Sequence, residues 1–147
     1  MKKHLLTLLV LLLLSYKVNA QQQAKYILEG QVLGNAPFLA VKISRNFWFT
    51  EHNHATLGTG FGYFPNLPSI PVDATISLGN GNKFFELGAV TDFYIGTPKD
   101  GPKFQMSPLI GYKSISQKGV VFRFHFTPTV LGEFTLWGGL SVGGVLR

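Results

Sequence analysis

Between Val120 and Thr127 the chain reads VVFRFHFT, with apolar and polar side chains taking turns residue by residue. Val120, Phe122, Phe124 and Phe126 share one parity, while Arg123, His125 and Thr127 share the other. A strand sends successive side chains to opposite faces, so this stretch specifies a sheet with one greasy and one wet face. In a soluble sheet the phenylalanines would form the core. In a membrane barrel they would face outward and the polar set would line the lumen.

Seven further segments carry the same pattern, and none carries a convincing helical period. Lys25–Leu33, Phe38–Phe49, Ala55–Tyr63, Ile70–Leu78, Lys83–Ile95, Phe104–Ser114 and Phe134–Leu146 alternate or nearly alternate. Their lengths, about nine to thirteen residues, suit tilted membrane strands of roughly 9–11 residues. The even count predicts an all-β, eight-stranded antiparallel up-and-down transmembrane β-barrel. Glu29, Lys42, Asp73, Glu86, Asp92, Lys113, Arg123 and His125 fall on the wet parity and are expected to form a lumen polar network. Ile76, Phe85, Leu87, Phe122, Phe124 and Phe126 are expected to face lipid. Alternate glycines at 58, 60 and 62 weaken a strand unless the interior needs the room, which a narrow barrel does. Trp137 falls on the wet parity and does not follow the pattern.

The connections alternate in character as well. Glu51–His54, Asn80–Asn82 and Ile115–Lys118 read as tight turns, Asn80-Gly81-Asn82 as a strong hairpin signal. Phe64–Ser69, Gly96–Lys103 and Pro128–Glu133 are longer and contain proline, and read as outer loops, with the tight set toward the periplasm. Pro108, inside a segment, predicts a bulge or a locally unpaired residue because it removes a ladder donor.

The first twenty residues read as a cleaved signal peptide: Lys2, Lys3 and His4, then the apolar run Leu5–Leu14, then Val18-Asn19-Ala20. Residues 21–147 then form the single barrel domain, exported to the bacterial outer membrane. Removing Lys2, Lys3 and Lys17 from the 13 Lys and Arg leaves 10 against 7 acids, scattered singly, which argues against nucleic acid as a partner. The chain has no cysteine, so neither disulfides nor lipid attachment to a cysteine is available. The expected partners are outer-membrane lipid and, during biogenesis, the barrel-assembly machinery.

The order LGTGFGYFP, IPVDATISLGNGNKFFELGAV, SPLIGYKS, GVVFRFHFTPTV and LWGGLSVGG, over roughly Leu57–Gly144, resembles the small outer-membrane β-barrel proteins common in Bacteroidota. The resemblance implies an eight-stranded barrel and says little of activity. The Leu146-Arg147 ending departs from the aromatic residue usual there.

His125, Thr127 and Glu133 invite comparison with lipid A deacylases, barrels that use a His-x-Ser pair and a nearby Glu. Here the hydroxyl is a threonine and Glu133 falls in a turn, so a lumen histidine is the better reading and no catalytic residue is assigned. His52 and His54 would share a face if extended, but no third ligand is evident, so no metal or cofactor is expected and a solvated turn is the reading. The expected role is structural or surface-interacting, with no wide pore at this strand number. The alternatives are a soluble lipocalin-like barrel holding an apolar ligand against inward phenylalanines and, behind it, a lipid A-modifying enzyme.

Overall fold

The computed structural model describes residues 25–34, 39–64, 67–96, 104–131 and 133–146. The expected signal peptide, residues 1–20, lies outside the described residues. Eight strands follow in chain order: β1 (Tyr26–Leu33), β2 (Leu39–Trp48), β3 (Asn53–Phe64), β4 (Leu67–Asn80), β5 (Lys83–Tyr94), β6 (Phe104–Ile115), β7 (Val120–Leu131) and β8 (Glu133–Leu146). Each pairs antiparallel with the next, and β8 returns to pair with β1, so the sheet closes into a barrel.

The register fixes the slant of the wall. Following outward residues from Leu78 through Phe85, Tyr112, Phe124, Leu140, Val32, Leu39 and Tyr63 returns to β4 at Pro68, ten residues from the start. A closed sheet requires such a stagger, and it goes with strands tilted ~35–45° to the axis.

Sidedness follows the alternation. Phe122, Phe124 and Phe126 point outward, Phe122 retaining 43% of its surface, whereas Arg123 between them retains 1%. The greasy parity is the outside all the way round, through Ile43, Leu57, Ile76, Phe85, Ile110 and Val142. This is the reverse of a soluble barrel built around an apolar hollow, and the ligand-carrier alternative with inward phenylalanines does not describe this chain.

Turn chemistry closes one end. The Asn80↔Lys83 pair leaves a two-residue link in which Gly81 takes φ 64° at the first central position and Asn82 does not take a positive φ, the sign pattern of a type II′ turn. At the β2–β3 link Thr50 Oγ1 accepts from the backbone N–H of His52 (3.2 Å) and Asn53 (3.0 Å). At the β6–β7 link Ser116 N–H donates to Val120 C=O (2.8 Å), and Gly119 takes φ 83°.

Two sequence expectations need correcting. Asn53 and His54 belong to β3, so the turn reading of Glu51–His54 covers only its first half. The stretches Phe64–Ser69 and Pro128–Glu133 are mostly strand: β3 runs to Phe64 and β4 starts at Leu67, while β7 runs to Leu131 and β8 starts at Glu133. They are hairpin tips rather than loops. Pro108 is the locally unpaired residue expected there rather than a bulge: it sits opposite Ala89 within an unbroken β5–β6 register, while β6–β7 pairing stops short of it at Ile110↔Phe126.

The wall is not uniformly laddered. Pairing of β3 with β4 skips Gly60 and Phe61, opposite Pro71 and Ile70, and resumes at Gly62↔Ser69. Pro71 has no N–H to give. Pairing of β6 with β7 runs only from Ile115↔Val121 to Ile110↔Phe126. Beyond it β7 and β8 continue paired to each other up to Leu131↔Glu133, above the last β1–β8 pair, Leu33↔Gly139.

Candidate functional site

The lumen is filled by side chains, and its middle is an ionic cluster. Six of the eight wet-parity residues converge there: Glu29 from β1, Lys42 from β2, Asp73 from β4, Glu86 from β5, Lys113 from β6 and Arg123 from β7, all buried. Arg123 is the hub. Its Nε donates to Glu86 Oε2 at 2.5 Å, and its Nη1 donates to Asp73 Oδ2 at 3.1 Å and Glu29 Oε1 at 3.3 Å. A planar guanidinium with five donors can serve several carboxylates at once, which a lysine cannot do with fixed geometry.

The two lysines complete the balance. Lys42 Nζ lies 2.6 Å from Asp73 Oδ1 and 3.7 Å from Glu29, and Lys113 Nζ lies 3.0 Å from Glu86 Oε1. Three carboxylates thus face three cations in a site shut off from water. Hydroxyls take up further capacity: Ser77 and Thr75 donate to Glu86 Oε1 (3.2 and 3.4 Å), while Lys113 Nζ donates to Thr56 Oγ1 (3.0 Å), which donates to Asn46 Oδ1 (2.8 Å). Burying so many charges is tolerable only when each is paired and hydrogen-bonded.

Glycine makes the room. A Cβ on Gly58 would come within 2.6 Å of Asp73 Oδ1 and 2.7 Å of Ser44 Oγ, and one on Gly139 would collide with the imidazole of His125. The other two wet-parity residues are buried as well. His125 sits opposite Gly111 and Gly139, and its Nδ1 has no hydrogen-bond partner. Asp92 lies further out, opposite Pro71 and Gln105.

Sequence reasoning missed the floor. His54 is buried, 4.1 Å from the Trp48 ring and 4.8 Å from the Phe84 ring by centroids, and neither of its nitrogens has a hydrogen-bond partner. His52 stays exposed in the turn, so the two histidines do not share a site. The available signal was parity, for His54, Thr56 and Gly58 alternate with Ala55 and Leu57. Among the described residues no group of three or more His, Cys, Asp or Glu is placed to hold a metal ion.

His125 and Thr127 both turn into the lumen, and Thr127 Oγ1 contacts the Trp137 carbonyl at 3.5 Å, a long hydrogen bond. The Glu133 side chain lies outside the described residues. Ile76, Phe85, Leu87, Phe122, Phe124 and Phe126 all lie exposed on the outer surface. Trp137, opposite Thr127, is on the inward parity of the β7–β8 ribbon, above the point where β1 ends, which accounts for a large ring at a wet position.

No protein-family model matches the chain, and no curated protein matches it. Among solved structures the crystal structure of the N-terminal β-barrel domain of Pseudomonas aeruginosa OprF is similar, with a TM-score of 0.58 and 14% identity over 84% of this chain and 98% of that one. At that identity the likeness speaks to architecture: the chain is an all-β, closed, eight-stranded antiparallel barrel similar to an outer-membrane barrel domain.

Proposed function

We propose that this chain spans the outer membrane of a Gram-negative bacterium, as a small barrel of the kind common in Bacteroidota, and serves a structural or surface-interaction role. One observation carries the reading: the barrel is apolar outside and ionic inside. An unbroken belt of exposed Leu, Ile, Val and Phe is intolerable in water and suited to acyl chains. Surrounding lipid and the barrel-assembly machinery are the partners this reading entails. The packed lumen argues against conduction of solutes, and the inward aim of His125 and Thr127 argues against chemistry on surrounding lipid. What remains to meet a partner is the outer rim: the hairpin tips of β3–β4 and β7–β8 and the connection around residues 96–103.

The chain lacks cysteine, so single reporters can be placed at will. Ile76→Cys and Phe124→Cys, each carrying an environment-sensitive fluorophore, are expected to emit as in hydrocarbon after insertion into vesicles. Lipid-borne quenchers should silence them and aqueous iodide should not. Equal quenching by iodide would remove the membrane reading. A band whose gel mobility shifts on heating is the accompanying sign of a closed barrel.

A further inference from the structure

The β6–β7 seam stops where two prolines meet. Its register places Pro108 opposite Pro128, one step beyond the hydrogen-bonding pair Ile110↔Phe126. The Ser116 N–H to Val120 C=O bond fixes which residues of this seam face each other with their backbone groups. In an antiparallel ladder these alternate, so they are the even positions 114, 112 and 110 of β6 and 122, 124 and 126 of β7. Positions 108 and 128 come next, and at that pair both required N–H groups are missing. The ladder ends there, although β6 continues to Phe104 and β7 to Leu131.

Past the prolines the same alternation turns the backbone groups of Phe104 and Met106 on one strand, and of Val130 on the other, toward the seam, and the β6–β7 register does not continue there. The outer lip is greasy: Phe104 and Met106 turn outward, and Met106, at 65%, keeps more of its surface than the other exposed large hydrophobics. The inner lip is polar, formed by Gln105, Ser107 and Thr127. Behind it a small cavity lies among Gln31, Lys42, Asp92, Leu109 and His125. Unpaired backbone facing hydrocarbon costs several kcal/mol per group, so such a gap in a lipid-facing wall calls for polar atoms to fill it.

We propose that the outer half of the β6–β7 seam is a lateral slot for the polar head of an amphiphile from the surrounding leaflet. The head accepts and donates hydrogen bonds at the backbone of Met106 and Val130, and the acyl chain runs outside along Met106, Ile110 and Phe126. The inference rests on the membrane reading above, since only in lipid do greasy and polar lips select one molecule with both characters.

The test uses the full chain in phosphatidylethanolamine–phosphatidylglycerol vesicles doped with either of two photoreactive phosphatidylethanolamines, one with the diazirine on its head and one at the end of its acyl chain. The acyl probe should label the outer face broadly. The head probe should label the slot segments, 104–109 and 127–131. Pro108→Val with Pro128→Val restores both donors. The zipped seam should lose head labelling about tenfold and gain amide-exchange protection of similar size at 106 and 130, with Pro108→Val alone in between. Acyl labelling without head labelling at the slot overturns the slot and leaves the membrane reading standing, whereas absence of both overturns the membrane reading itself. Head labelling that survives in the zipped variant, or chain-to-chain crosslinks at the slot in place of lipid, also overturns the proposal, the latter in favour of a second copy.

Discussion

Six ionised side chains from six strands meet at the middle of the lumen, whereas Trp48, His54 and Phe84 stack at the end that carries the 49–52 and 81–82 turns. Both layers fill the same cylinder, yet they do so under different rules. The ionic layer is directional and stoichiometric, so losing one member strands its partners in a dry place. The ring layer depends on volume and shape, so it should absorb a change that keeps the space filled. The wall sets the positions in both cases; what differs is how far each layer forgives substitution.

The sharpest way to break that contrast is Arg123→Met. It leaves Glu29, Asp73 and Glu86 against Lys42 and Lys113 alone, and stability measured by urea unfolding in vesicles should fall by about 3–5 kcal/mol. Adding Glu86→Gln returns the cluster to two acids and two bases, and the double variant should recover about 1–3 kcal/mol of that loss, a coupling read from the full mutant cycle. Additive losses would mean that charge balance is not what holds the layer. At the floor, Phe84→Leu keeps an apolar filler and should cost only about 1 kcal/mol. The smallest effect is expected for His54→Leu, which removes two ring nitrogens that have no hydrogen-bond partner: a change within about 1 kcal/mol, in the stabilising direction, by the same unfolding measurement. A large loss at His54 would show that the floor too is held by specific polar bonds.

Much of the barrel was legible because period-two alternation carries two independent facts at once, the existence of a strand and the side each residue takes. Glu29, Lys42, Asp73, Glu86, Lys113 and Arg123 could be assigned to one interior from parity alone. Which carboxylate meets which cation could not, because that depends on the ten-residue stagger and on long side chains crossing the lumen. The hairpin tips escape a reading of the sequence for a local reason. Proline reads as a strand breaker, yet Pro128 directs its missing donor toward β6, where no ladder exists, and leaves the β8 side of β7 intact. His54 escapes it too, because a histidine beside Glu51, His52 and Asn53 reads as solvent-loving, while the register turns it under Trp48 and Phe84.

The slip with which the wall meets itself has a consequence for how such a molecule can change over generations. Girth and slant are locked together, since a sheet with one hairpin more or fewer would need a different slip to seal, and every interior group would then be aimed elsewhere. Insertions are therefore confined to the rims, where lengthening a link adds little closure entropy and disturbs no pairing. The cylinder is a fixed chassis, and novelty accumulates at its ends.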